Sequence, residues 1–108
     1  MNLLFKPGVK VEQVNARLLV GLAELATVLG EEAQVNVIMV TSVNDGKHKK
    51  GSFHYTGNAV DVRCRFFKDE DIRRAVDRFN ILHDAEFDLI WEDNGGPNEH
   101  LHLERDPR

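Results

Sequence analysis

Two short stretches of the chain alternate in polarity with a period of two, and this alternation limits the folds open to it. In Ala59 to Cys64, Val60, Val62 and Cys64 fall on one side and Ala59, Asp61 and Arg63 on the other. In His100 to Glu104, Leu101 and Leu103 oppose His100 and His102. Successive side chains of a strand point to opposite faces, so each stretch reads as a strand with an apolar face to bury and a second face for polar groups.

Helical stripes supply the cover. Val11, Val14, Leu18, Leu22, Leu25, Ala26 and Leu29 share one helical face, and Gly30 is placed to stop the run, which predicts a helix over Val11 to Leu29. A second helix is predicted over Asp69 to His83. Asp69, Glu70 and Asp71 suit its positive end, and Ile72, Ala75, Val76, Phe79 and Leu82 form its buried stripe. His83 suits the opposite end of the same dipole.

Val35 to Val43 is rich in β-branched residues and reads as a strand entering a polar loop, Asn44 to Gly57. Phe87 to Trp91 and His100 to Glu104 flank the turn-forming run Glu92-Asp93-Asn94-Gly95-Gly96-Pro97 and should pair as an antiparallel hairpin. The order α-β-β-α-β-β gives an α+β fold: a small antiparallel sheet backed by two helices. With 108 residues, 42% of them hydrophobic, the chain has material for one core, so a single domain over 1–108 is expected.

Composition removes some functions. Fourteen basic against 18 acidic residues, a formal charge of -4, offer no broad basic surface for nucleic acid or an anionic membrane. No stretch approaches the ~20 apolar residues of a membrane helix, and the N-terminus lacks the pattern of a secretion signal. Synthesis in the cytoplasm is the expectation. The single cysteine, Cys64, excludes an intramolecular disulfide and should be a buried free thiol.

The five histidines point to chemistry. His48 and His54 share the loop, His100 and His102 share one strand face, and only His83 stands apart. A catalytic zinc takes about three protein ligands and keeps an open position for water. His54, Asp61 and His102 can supply such a set, and the small Ala59 beside Asp61 leaves room. A solvated polar strand face would carry the same residue types, so spacing alone leaves both readings open.

The stretch Ser52-Phe53-His54-Tyr55-Thr56-Gly57-Asn58-Ala59-Val60-Asp61 resembles the Ser-x-His-x-x-Gly-x-Ala-x-Asp signature of the zinc D-Ala-D-Ala carboxypeptidase and L-alanyl-D-glutamate endopeptidase family. Glu99-His100-Leu101-His102 resembles its closing motif. Val40 to Asp61 and the His-x-His are also similar to the signalling domain of hedgehog proteins, which shares the peptidase fold. The resemblance covers roughly Val37 to Glu104. It implies a hedgehog/DD-peptidase-like fold, Zn2+ held by His54, Asp61 and His102, and Glu99 as catalytic base. It also places His48 near the metal. Many relatives carry an arginine after a Thr-Ser or Ser-Gly pair to grip the substrate carboxylate, whereas Thr41-Ser42 is followed here by Val43-Asn44. Lys47, Lys49 and Lys50 are the cations nearest in sequence.

On these grounds His100 is placed to stabilise an oxyanion, and Ser52 to hydrogen-bond Asp61 or nearby backbone. In a regular strand Glu99 would share a face with Leu101, opposite His102. It therefore needs irregular backbone, which the Gly-Gly-Pro-Asn lead-in permits, with Glu92 and Asp93 as substitutes. The expected function is hydrolysis of peptidoglycan stem peptides by metal-activated water, as in phage endolysins, acting at the cell wall or from the virion. The competing expectation is a zinc-stabilised binding or structural module without activity. No oligomeric state follows from the sequence.

Overall fold

A computed structural model describes residues 1–43 and 57–107. Its elements are β1 (Asn2–Phe5), α1 (Ala16–Ala33), β2 (Val37–Ser42), β3 (Ala59–Arg63), α2 (Asp69–His83), β4 (Phe87–Glu92) and β5 (His100–Arg105). The strands form one sheet in the order β1-β2-β3-β5-β4. The α+β class is as expected, with two helices and five strands.

The sheet departs from the expected antiparallel one at its edge. β1 runs parallel to β2, with Asn2 opposite Val37 and Phe5 opposite Val40, while the remaining neighbours are antiparallel. All four β1 residues are exposed. With no buried face β1 shows no alternation, so its sequence carries no period to read. Backbone hydrogen bonds hold it instead, including Asn2 N to Asn36 O at 2.8 Å and Lys6 N to Val40 O at 2.9 Å.

Helix α1 starts five residues later than expected and continues past Gly30. Asn15 is its N-cap: the side-chain oxygen accepts from Arg17 N at 2.8 Å, and Gln34 ends the helix in the left-handed conformation. Capping chemistry outweighed the apolar stripe, because Val11 and Val14 precede the residue that satisfies the first free amides. Helix α2 has the predicted bounds. Ile72, Ala75 and Phe79 of its stripe are buried and Val76 packs against the core, but Leu82 is 59% exposed.

One core lies between the helices and one sheet face. Leu18, Leu22, Leu25 and Leu29 of α1 meet Ile72 and Phe79 of α2 over Val40, Val60, Val62, Leu89, Leu101 and Leu103. Both alternating strands therefore turn the expected face inward. Cys64 is fully buried in this core, and burial, with the charges of Glu99 and Asp69, pushes its thiol up to about 12.

Two fastenings hold the sheet against α1. Arg17 and Arg105 both bond Glu86, at 2.6 and 2.9 Å, and together hold its carboxyl down to about 2. Gly57, just before β3, adopts φ +74°, and a Cβ there would collide with Gln13 O. Its own carbonyl accepts from Asn15 N at 3.0 Å. Only glycine permits this approach without strain, so the entry to β3 is tied to the start of α1.

Candidate metal centre

The face of β3, β5 and β4 turned away from the core is built from three cross-strand rows. Arg63, His100 and Glu92 align in one; Asp61, His102 and Ile90 in the next; Ala59, Glu104 and Asp88 in the third. Directly opposed residues share a sheet face with their Cβ atoms roughly 5 Å apart, so the register alone gathers these groups. β2 adds a bulge between Val40 and Ser42, which sets Ser42 opposite Asp61 and lets Thr41 Oγ1 donate to Asp61 O at 3.4 Å. Bulges recur beside functional sites because they re-aim side chains.

Asp61, Glu92, His100 and His102 each offer one donor atom, all within 4.8 Å of one another. Asp61 Oδ1 lies 3.0 Å from His102 Nδ1 and 3.7 Å from His100 Nε2. Glu92 Oε1 lies 3.0 Å from His100 Nε2 and 3.7 Å from His102 Nδ1. Asp61 is only 9% exposed. This cluster can hold a metal ion.

The hydrogen bonds behind the cluster fit that use. His100 Nδ1 lies 2.7 Å from Asn98 O, and a carbonyl can only accept, so Nδ1–H donates and the Nε2 lone pair of the neutral ring faces the cluster. His102 is turned the other way: Nε2–H donates to Glu104 Oε1 at 2.8 Å, and Nδ1 faces the cluster. Metal-bound imidazoles commonly have their far nitrogen held in this manner by a carboxylate or backbone carbonyl, which fixes tautomer and ring orientation. Without a metal, a proton takes that place on His102. Burial works to lower its pKa, but the bond to Asp61 and its charge, the bond to Glu104 and the charge of Glu92 together raise it.

A second group, Asp88, Glu104 and Asp106, lies on the same sheet region. It contains no imidazole, and Glu104 is engaged by His102.

No family model, curated protein or solved structure matches the chain. The site must be read from its own geometry.

Among the residues singled out from the sequence, Asp61, His102 and His100 come together. His54, His48 and Ser52 lie outside the described residues, as do Lys47, Lys49 and Lys50. The structure does not bring Glu99 to the cluster. It does precede β5, as its expected role required, but its Oε2 accepts from Trp91 Nε1 at 2.8 Å, and Trp91 pairs with Leu101 on the core side. Arg73 lies over the same indole, 5.8 Å from the ring centroid.

Asp93 is also committed elsewhere. Its Oδ2 accepts from Asn98 N at 2.8 Å and its carbonyl from Gly96 N at 2.8 Å, so it shapes the hairpin turn. Glu92 is the acid that reaches the cluster. Sequence reasoning held it only as a substitute and did not single out Glu104 or Arg63. The signal was available in the spacing of two: Glu104 continues the His100, His102 face, and Arg63 continues the Asp61 face.

Proposed function

We propose that the chain is a zinc-dependent peptidase of peptidoglycan stem peptides, of D-Ala-D-Ala carboxypeptidase or L-alanyl-D-glutamate endopeptidase type. The observation that carries the metal half of this reading is the pair of oppositely turned imidazoles, each with its far nitrogen held and its near nitrogen aimed at Asp61 and Glu92. Mixed imidazole and carboxylate donors suit zinc better than calcium or magnesium, which favour all-oxygen sites. The peptidase half rests on the resemblance of Ser52 to Asp61 and Glu99 to His102 to the family's two motifs.

Asp61 and His102 are the described ligands, and His54 completes the set by its place in the motif. Zinc, when bound, polarises an amide carbonyl and makes water acidic enough to attack near neutral pH. Glu92 takes the proton from the attacking water and returns it to the departing amine, a role favoured by its place at the cluster and its 46% exposed side chain. His100, whose Nε2 lone pair faces the cluster, assists in holding the metal and has no proton there to give an oxyanion. Glu99 keeps Trp91 in place.

The test measures zinc content and cleavage of stem peptides by the parent, Glu92→Gln and Glu99→Gln. Glu92→Gln is expected to retain zinc and lose roughly 10²- to 10⁴-fold in turnover. Glu99→Gln should retain both. Full activity in Glu92→Gln with loss in Glu99→Gln would return the base to Glu99. A zinc-loaded parent that cleaves no stem peptide would overturn the peptidase. It would leave the second reading, an inactive zinc-stabilised binding or structural module, which the engagement of Glu99 by Trp91 favours.

A further inference from the structure

The two edges of the sheet, β4 and β1, are finished differently. At the β4 edge the Asn80 side chain of α2 bonds both backbone groups of Leu89: Nδ2 donates to Leu89 O and Oδ1 accepts from Leu89 N, each at 2.9 Å. A further strand would have to make those same two bonds, so the amide closes that edge. Asp88 and Glu92 add charge along it.

No such device guards β1. Asn2–Phe5 contains no charge, no proline and no bulge. The backbone groups of successive strand residues point alternately to the two neighbouring strands. Asn2 N and Lys6 N donate to Asn36 O and Val40 O, so the N–H and C=O of Leu3 and Phe5 face outward, and no backbone group of the described residues bonds them. Leu3 and Phe5 lie on the helix side with Ile38 and Val40, and Leu4 lies on the opposite face with Met39. Met1, Leu3, Leu4 and Phe5 are between 36% and 53% exposed. An open, apolar edge of this kind is a template for another strand.

The strand it fits is its own copy. Turned about a two-fold axis at Leu4, two β1 strands lie antiparallel with Leu3 opposite Phe5 of the second copy and Phe5 opposite its Leu3. Every outward N–H of these residues then meets an outward carbonyl, and Leu4 meets its own counterpart. Because Asn2–Phe5 is uncharged, the self-pairing brings no like charges together. A strand of four residues keeps the contact below roughly 1,200 Å² in total, the range of weak and reversible complexes, so a dissociation constant on the order of 10 µM is expected.

We propose that two copies of the chain pair through β1 about this axis and join their five-stranded sheets into one. The axis of such a pair stands perpendicular to the sheet. Both candidate metal centres therefore open on the same side, on the order of 30 Å apart from the spacing of the strands. The pairing does not depend on the peptidase reading.

Sedimentation equilibrium of the whole chain over about 1–300 µM reads the association. Leu3→Pro removes an outward N–H that β2 does not use, while Leu4→Lys and Leu4→Glu each set like charges against one another at the axis. Each variant should weaken dimerisation on the order of tenfold or more, with the circular dichroism of the fold unchanged. An equimolar mixture of Leu4→Lys and Leu4→Glu should recover the dimer, because opposite charges then meet.

A parent that stays monomeric over the whole range overturns the proposal. So does a dimer that Leu3→Pro leaves intact, or one that the mixture of Leu4 variants does not restore. Loss of the parent's dimer in Ile81→Ser alone would also overturn it and assign the association to α2, where Ile81 is 78% exposed.

Discussion

The two faces of the β3, β5 and β4 strands differ in almost everything except their backbone. On one, Val60, Val62, Leu89, Leu101 and Leu103 are at most 3% exposed beneath two helices. On the other, residues one position along carry the carboxylates and imidazoles of the candidate metal centre. A single register serves both, because slipping a strand by one residue would exchange its faces. The apolar face thus specifies where the donors stand, and the polar face contributes chemistry with less demand on packing.

The deepest cut to this division is made from the apolar side. Leu103→Ala removes a fully buried side chain from between His102 and Glu104 in sequence and is expected to cost about 2–5 kcal/mol. Denaturant unfolding checks the cost. Zinc binding that survived while stability fell by that amount would show that the donors hold their register without the core.

Next in size is a change on the polar face alone. Glu104→Gln weakens the acceptor on His102 Nε2 without altering its volume, and zinc affinity should fall roughly 10- to 100-fold, as for other partners behind a metal ligand. Competition with a chelating dye reads the affinity, and circular dichroism reads the fold. Unchanged affinity would mean that His102 is oriented by packing and not by Glu104.

A smaller effect is expected from pH in the metal-free protein. His102 has its pKa raised in the folded state, so its contribution to stability is complete below the ordinary histidine value of about 6.5 and is lost as pH rises through the raised value. Unfolding in chelator at a series of pH values should therefore show stability declining across that window. Zinc affinity should rise over the same window, since metal and proton compete for Nδ1. His102→Gln should flatten both trends.

The smallest change tests the boundary between the faces. Glu99→Gln perturbs the bond to the Trp91 indole and should cost about 1 kcal/mol of stability, with no change in zinc content. Loss of zinc in this variant would place Glu99 in the polar face after all.

These comparisons mark what could be read early. The one-sided strands, the hairpin and α2 were legible because each buries a stripe of fixed period. β1 was not, because an edge strand held by backbone bonds and exposed on both faces has no period. Asp61, His100 and His102 were legible as donors by type and alternation. Glu92 was not given its place, since that depends on how β4 and β5 align across the turn, whereas Glu104 could have been read from the alternation of its own strand. The closing motif drew attention to Glu99, but the hydrogen bond from Trp91 holds its carboxylate on the other side of the sheet.

Sequence by itself determined the α+β class, the buried faces of β3 and β5, and the grouping of two histidines on one face, because local periodicity and residue chemistry suffice for each. Only the tertiary structure decided that Glu92 and Glu104, and not Glu99, join Asp61 and the histidines. Asp61, Glu92 and Glu104 come from three strands, and the cross-strand register that unites them is set by packing against the helices, which no local pattern encodes.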